Sequence, residues 1–151
     1  MTGGKDTVEL ILERTIDAPR QQVWEAVANP ATVSRWWCAG DPVEVAFERS
    51  VGGRYTERYR GEDTDHYDLA GEVVAFDPER RLAISRETGG RFGPEDRIEL
   101  TLREDADRTQ FRLSHRFPHL HEDRRPEVAD YYEQPWSKSI DALAALVTSD
   151  G

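Results

Sequence analysis

Several ionisable residues fall inside strand-like segments of the sequence, at positions where apolar neighbours share their parity: Arg14, Glu57, Arg86 and His115. Alternate residues of a β-strand point to the same face, so this parity predicts that the four side chains point into the protein. An unpaired buried charge costs several kcal/mol, so such residues would pair, meet water or bind the polar end of a ligand. The alternative is that the strand ends splay, or that a bulge changes the register, and the charges face solvent.

His115 is the residue of this set that acid–base catalysis would use, because imidazole titrates near neutral pH. The sequence places no Ser or Cys nucleophile beside it, so a cavity-lining or structural role is the stronger interpretation. His119 and His121 stand with acidic residues after Pro118, but their spacing matches no metal-ligand motif. Cys38 has no adjacent basic residue to activate its thiol, and we interpret it as a small buried side chain. The sequence therefore predicts no catalytic residue, no metal site and no cofactor.

The segment SRWWCAG, residues 34–40, sets two tryptophans side by side in an otherwise polar chain with a mean hydropathy of −0.75. For any single aromatic residue, packing in the core is the better interpretation. The aromatic residues taken together favour a different interpretation, in which they line a hollow. Tyrosine hydroxyls on inward faces need hydrogen-bond partners, and a hollow that holds water or a ligand supplies them. An empty hollow of about 300 Å³ would cost on the order of 7 kcal/mol, so we expect it to be occupied or collapsed. The predicted ligand-binding residues are Trp37, Phe47, Tyr55, Glu57, Tyr59, Tyr67, Arg86, Phe111, His115, Tyr132, Trp136 and Ile140.

Composition excludes several classes of protein. Acidic residues outnumber basic residues by 30 to 20, and the net charge of −10 repels nucleic acids and anionic membrane surfaces. No apolar run approaches the ~18 residues that a membrane span needs, and the amino terminus has no signal-peptide pattern. One cysteine permits no internal disulfide. We therefore expect a cytoplasmic protein whose 151 residues fold as a single domain, residues 1–151.

Hydrophobic periodicity predicts the elements that must position these residues. A first strand over residues 8–16 is followed by two short helices, the second ending at Trp36, and then by six strands between residues 43 and 117. Apolar residues at helical spacing from Trp136 to Val147 predict a long C-terminal helix, which Pro135 kinks or restarts. Consecutive strands without intervening helices pair antiparallel. An α+β fold satisfies this order: a curved seven-stranded antiparallel sheet wraps around the last helix, and the two short helices close one end.

Several short motifs follow one another along the chain in a fixed order and spacing. They are Asp17-Ala18-Pro19, Val23-Trp24, Asn29-Pro30, Trp36-Trp37, Gly52-Gly53, Gly71-Glu72-Val73, Arg80-Arg81-Leu82, Leu113-Ser114-His115 and Trp136-x-x-x-Ile140-x-x-Leu143. Together they resemble the START-like (SRPBCC) superfamily, and within it the branch of the activator of heat-shock-protein-90 ATPase homologue-like proteins. That branch usually carries Gly-Trp where this chain has Pro135-Trp136.

The resemblance covers nearly the whole chain and implies a helix-grip fold, the fold of START domains and of the birch pollen allergen. In that fold a hollow lies between the curved sheet and the last helix. The resemblance implies no single activity, because members bind lipids, hormones or polyketides and a minority are enzymes. It therefore directs attention to the hollow without naming what occupies it.

We predict that the protein binds a small hydrophobic or amphipathic molecule without turnover, with a carboxylate or hydroxyl of the ligand against Arg86 or His115. Two other functions stay open. One is an enzyme of the polyketide cyclase or hydrolase-like type, in which Glu57, Arg86 or His115 moves protons; converging titratable groups would favour it. The other is a co-chaperone-like interaction module, which an exposed apolar patch would favour. No nucleic-acid partner and no membrane insertion are predicted, and a homodimer and a protein partner are left open.

Overall fold

The structure is a computed structural model that describes residues 7–37, 43–59, 68–90 and 92–148. Its elements follow the predicted order of one strand, two short helices, six strands and one long helix. None of the helices in these ranges is long and apolar enough to cross a bilayer. The strands are β1 (Val8–Ile16), β2 (Val43–Phe47), β3 (Arg54–Tyr59), β4 (Asp68–Asp77), β5 (Arg81–Gly90), β6 (Gly93–Asp105) and β7 (Arg108–Phe117); the helices are α1 (Arg20–Ala28), α2 (Pro30–Trp36) and α3 (Arg125–Thr148), with one 3-10 turn, Glu122–Arg124, before α3.

All seven strands form one antiparallel sheet in the order β1-β7-β6-β5-β4-β3-β2. Strands β2 to β7 pair with their neighbours in sequence, whereas β1 pairs with β7 from Val8, opposite Phe117, to Ile16, opposite Thr109. The first strand therefore occupies one edge of the sheet and the second strand the other, and α1 and α2 connect the two edges. The sheet curves and carries the long C-terminal helix, which confirms the predicted helix-grip architecture.

The arrangement of α1 and α2 depends on the residues where the two helices join. The Asn29 side chain accepts a hydrogen bond from the Ala31 amide at 3.1 Å, and Pro30 occupies the first turn of α2, where its missing N–H carries no penalty. The Trp36 indole donates to the Ala26 carbonyl at 3.1 Å and so ties α2 to α1. Trp36 is fully buried, so the first of the two adjacent tryptophans packs in the core.

Helix α3 is the element that the sheet grips. It runs continuously through Pro135, so this proline does not restart the helix. Near its two ends, the Arg125 guanidinium donates to the Glu9 carbonyl at 2.5 Å, and the Val147 carbonyl accepts from the Gln22 amide at 2.6 Å. The buried residues recur at helical spacing along one face: Val128, Trp136, Ser139, Ile140, Leu143 and Val147.

Gly71 in β4 lies opposite Tyr55 on β3 and opposite Arg86 on β5. A Cβ atom at position 71 would lie 2.0 Å from the carbonyl oxygen of Ser85, a distance that would force the backbone of β4 or β5 to move. The glycine also leaves the sheet without a side chain between Tyr55 and Arg86. Because of this gap, the long side chain of Arg86 can extend across β4 toward β3.

We expect Gly71→Ala to destabilise the protein by about 2–3 kcal/mol, because the added methyl group meets backbone that is part of two strand pairings. Chemical denaturation measures the change in the free energy of unfolding. The matched control is Ala70→Gly at the exposed neighbouring position, for which we expect a loss of about 1 kcal/mol or less from strand propensity alone. Equal losses in the two variants would contradict this account of Gly71.

Candidate functional site

Arg86 is the centre of a polar network that is buried on the inner face of the sheet. Its Nε and Nη2 atoms donate to Asp96 Oδ1 and Oδ2 at 2.8 and 2.6 Å, a bidentate ion pair. Its Nη1 atom donates to Glu57 Oε2 at 2.7 Å. Arg86 is 4% exposed, Asp96 2% and Glu57 0%. The guanidinium thus lies between two carboxylates and stabilises both negative charges, and the carboxylates stabilise its charge in return.

The sheet register places these groups together. Arg86 on β5 is directly opposite Asp96 on β6, so the bidentate pair is a cross-strand pair. His115 on β7 is opposite Ile98, two residues beyond Asp96, and its Nε2 atom lies 2.8 Å from Asp96 Oδ2. Glu57 lies on β3, on the far side of Gly71. The strands β3, β5, β6 and β7 therefore each contribute one side chain to the network. Strand β4 contributes none, and its Gly71 leaves room for Arg86 to reach β3.

The hydrogen bonds of His115 determine its tautomer. Its Nδ1 atom accepts a hydrogen bond from the Trp136 indole N–H of α3 at 3.0 Å, so this nitrogen carries no proton. The proton therefore resides on Nε2, which donates to Asp96. His115 is neutral and fully buried, with both ring nitrogens bonded to protein groups. In this arrangement neither nitrogen can accept a proton from a bound molecule.

One carboxylate oxygen of Glu57 accepts hydrogen bonds from three donors. Besides Arg86, the Tyr55 hydroxyl donates to Oε2 at 2.5 Å and the Trp37 indole N–H donates to it at 3.3 Å. Trp37 is 2% exposed and Tyr55 0%, so these contacts lie inside the protein. Three convergent donors favour the ionised carboxylate. The second of the two adjacent tryptophans thus bonds to a charged side chain, whereas Trp36 bonds to a backbone carbonyl.

Burial and charge act against each other on each group of the network. Burial opposes the ionisation of Asp96, but the hydrogen bond and the charge of Arg86 outweigh it and lower the pKa of the carboxyl well below its usual range. Burial opposes the charge of Arg86 as well, but Glu57 and Asp96 raise the pKa of the guanidinium overall. For His115, burial outweighs the attraction of Asp96 and lowers the pKa of the imidazole, in agreement with a neutral ring.

Aromatic rings surround the network. The Trp37 ring meets Trp136 edge to face, with ring centroids 5.0 Å apart and an interplanar angle of 85°. Tyr132 of α3 lies 4.6 Å from the His115 ring, and burial raises the pKa of its phenol to about 12, so the hydroxyl keeps its proton. Phe92 packs against Tyr132 at 5.9 Å. The rings of α2 and α3 therefore cover the polar network on the side that faces away from the sheet.

Comparison with known proteins identifies the family to which this architecture belongs. The family profile of the Activator of Hsp90 ATPase homolog 1-like proteins matches residues 17–148. The chain belongs to this family. The match includes all the residues of the buried network, and it confirms the resemblance inferred from the motifs. No curated protein has a significantly similar sequence.

Solved structures with the family's fold resemble the chain over most of its length. A protein of Rhodobacter sphaeroides is 23% identical with a TM-score of 0.79, over 99% of this chain and 97% of that one. Ms6760 from Mycobacterium smegmatis is 22% identical with a TM-score of 0.76, over 99% of each chain. CalU16 from Micromonospora echinospora is 25% identical with a TM-score of 0.65, over 93% of this chain and 76% of that one. These similarities establish the fold. The activity of this family member has to be inferred from its own residues.

The structure brings most of the predicted site residues of this family member together. Trp37, Tyr55, Glu57, Arg86, His115, Tyr132 and Trp136 form the network and its aromatic cover. Phe47 stacks on Tyr55 with ring centroids 6.2 Å apart, whereas Phe111 and Ile140 are buried among the apolar core residues. Tyr59 ends β3 opposite Val43; its side chain, and the whole of Tyr67 and Cys38, lie outside the described residues.

Asp96 is the member of the network that the sequence analysis missed. It shares parity with Ile98, Leu100 and Leu102, which is the same signal that identified Arg86. The glycine-rich stretch from Thr88 to Pro94 is typical of a loop that leads to the strand residues from Ile98 onward, whereas β6 begins at Gly93. Among the described residues, no group of three or more His, Cys, Asp or Glu side chains is arranged to hold a metal ion.

We expect Arg86→Met to destabilise the protein by about 3–5 kcal/mol, because it leaves two carboxylates buried without their cation. The matched control on the same strand is Arg81→Met. Arg81 pairs with Glu99 at the surface, with 52% and 31% of the two side chains exposed, so we expect its loss to change stability by at most about 1 kcal/mol. Chemical denaturation at neutral pH measures both values. Similar losses in the two variants would contradict the central role of Arg86.

We expect the free energy of unfolding to fall as the pH drops below about 6.5, because the unfolded chain protonates its histidine there and folded His115, whose pKa is lowered, does not. The slope from His115 alone reaches at most about 1.4 kcal/mol per pH unit. Asp96, whose pKa is also lowered, adds a second loss of stability below about pH 4.

His115→Gln separates the contribution of His115 to the pH dependence from that of Asp96. The amide of glutamine can still donate to Asp96 and accept from Trp136, but it does not titrate. Denaturation curves between about pH 7.5 and pH 5 should show a shallower fall in stability for this variant than for the wild type. An unchanged slope would show that His115 is not the group responsible.

Proposed function

We propose that this protein binds a small, mainly apolar molecule between the curved sheet and α3, and that the buried network recognises the polar end of that molecule. The observation that carries the proposal is the network itself: two carboxylates, one guanidinium and one imidazole, each at most 4% exposed, bonded to one another on the inner face of the sheet and to Trp136 of α3. The family fold is compatible with ligand binding.

Stability alone gives little reason for such a network. Replacing a buried ion pair or triad with well-packed apolar residues is often neutral or stabilising, because desolvation of the charges offsets their attraction. Buried groups with strongly shifted pKa values cluster at functional sites, and here Asp96, Arg86 and His115 all shift. Around them lie the aromatic rings of Trp37, Trp136 and Tyr132, which suit an apolar or aromatic ligand.

Titratable groups do converge in this network, which is the feature expected of the enzyme alternative, but they are bonded to one another, and we therefore favour binding without turnover over proton-transfer catalysis. A general base needs an acceptor within reach of the substrate, and both nitrogens of His115 are bonded to Asp96 and Trp136. Catalysis by His115 would first require Trp136 to release Nδ1. Arg86 is likewise held by two carboxylates and is poorly suited to donate a proton, since its pKa is raised further.

A surface interaction module is the less favoured alternative. The large apolar side chains that are exposed among the described residues are Ile11, Val51 and Tyr131, on β1, on the β2–β3 turn and on α3. Three side chains on three separate elements are a small basis for a protein-binding patch. The interior, where the charged and aromatic residues concentrate, is the stronger candidate for the functional site.

Two measurements test ligand binding. The protein is purified under native conditions from cells of its source, and small molecules released by organic solvent are identified by mass spectrometry. Thermal unfolding is then measured against a library of lipophilic and aromatic compounds; a ligand at a hundredfold excess over Kd stabilises by about 2.7 kcal/mol, a shift of several degrees. A reproducible absence of both a released molecule and any thermal shift would refute the proposal.

The two adjacent tryptophans provide a matched pair of variants. We expect Trp37→Phe to weaken the binding of a library hit at least tenfold, because it removes the N–H bonded to Glu57 and part of the ring surface beside Trp136. Trp36→Phe makes the same chemical change one residue away, where the indole bonds to Ala26, and should leave Kd within about twofold. Equal losses in the two variants would place the ligand elsewhere.

A further inference from the structure

We propose that the polar group of the ligand is a hydrogen-bond donor, best supplied by a protonated amine, and that Glu57 and Asp96 make the site select against carboxylates. This inference rests on the proposed function and names the chemical class that the same site accepts. It differs from the expectation drawn from the sequence, which set a carboxylate or hydroxyl against Arg86 or His115. The difference comes from Asp96 and from the partners that Arg86 and His115 are found to have.

Arg86 is the cation that a bound carboxylate would need, and it is already committed. Its Nε and Nη2 atoms bond to both oxygens of Asp96, and its Nη1 atom bonds to Glu57. The planar guanidinium has five N–H groups in a fixed fork; Asp96 occupies the edge formed by Nε and Nη2, and Glu57 holds Nη1 of the other edge. A ligand carboxylate would therefore be a third anion beside one guanidinium in a space without bulk water, where repulsion between like charges is strong.

The other polar groups of the network also face the carboxylates. The indole N–H of Trp37 and the hydroxyl of Tyr55 donate to Glu57, and His115 Nε2 donates to Asp96. The remaining His115 nitrogen, Nδ1, is an acceptor that Trp136 satisfies. The donors of these side chains thus point at carboxylates of the protein, whereas a new donor would add to the attraction that the carboxylates already exert.

The aromatic cover suits a cation as well. Trp37 and Trp136 meet edge to face at 5.0 Å, and Tyr132 lies beside His115 at 4.6 Å. The faces of indole and phenol rings attract cations, and this attraction increases when water is excluded. The indole N–H edges of Trp37 and Trp136 point at Glu57 and His115, so an ammonium group would gain from the carboxylates and, where it lies over a ring face, from that ring as well. A carboxylate in either place would be repelled.

A series of three compounds with the same indole body tests the selectivity: tryptamine, tryptophol and indole-3-propionic acid. At about pH 7.5 their side chains end in an ammonium, a hydroxyl and a carboxylate. Isothermal titration calorimetry on the wild-type protein gives the three dissociation constants. We expect tryptamine to bind at least tenfold more tightly than the acid, with tryptophol between them, and we expect added salt to change the difference little because the charges are buried.

Glu57→Gln shows whether the buried carboxylate causes the preference. The substitution removes one negative charge beside Arg86, so the ratio of the amine to the acid affinities should fall at least fivefold. Glu99→Gln is the matched control, because it removes the same charge from the pair that Glu99 forms with Arg81 at the surface; the ratio should stay within about twofold. Thermal unfolding confirms that both variants are folded, and the comparison in the wild type needs no variant.

The outcomes separate this inference from the proposed function. If the acid binds as tightly as the amine, or more tightly, the selectivity is wrong while ligand binding stands. If library compounds bind but all of the stronger ones are acids, the same conclusion follows. If neither the library nor the indole series binds, the proposed function itself fails and this inference with it.

Discussion

A buried guanidinium must keep its counterions, and this constraint organises the interior of the protein. Arg86 bonds to Asp96 on the adjacent strand and to Glu57 beyond β4, so one side chain links β3, β5 and β6. Gly71 is necessary to the same arrangement, because a side chain at that position would meet the backbone at Ser85. An interior of apolar residues could shift by a fraction of an ångström, whereas these directional bonds lose energy steeply with distance and angle.

The same network joins the sheet to both groups of helices. Trp37, which follows α2, donates to Glu57, and Trp136 on α3 donates to His115, which donates in turn to Asp96. One continuous set of polar contacts therefore runs from the end of α2 across the sheet to the middle of α3. The grip of the sheet on its helix thus has a specific polar component in addition to the apolar packing of residues such as Ile140 and Leu143. Members of one fold family differ in function through such sites, since the fold itself does not determine the chemistry.

The parts of the site that could be predicted are those that depend on local pattern. Parity along the strands placed Glu57, Arg86 and His115 on the inner face, because a strand alternates its side chains whatever its partners are. Asp96 was missed because Gly93 and Pro94 are typical of a loop, and only pairing with β5 makes them the start of a strand. Whether the inward charges would meet one another, water or a ligand could not be predicted, because they are 10 to 29 residues apart in sequence.

The sequence by itself determined the order of the elements, the antiparallel sheet, the buried face of the last helix and the family, since each follows from periodicity and from motifs at fixed spacing. Only the tertiary structure decided which donor faces which acceptor. The separate roles of Trp36 and Trp37 are an example: two identical adjacent residues bond to Ala26 and to Glu57, respectively. The tautomer of His115 is another, because it depends on Trp136, 21 residues away in the chain. Hydrogen bonding depends on distances and angles between strands and helices, and these exist only when the chain is folded.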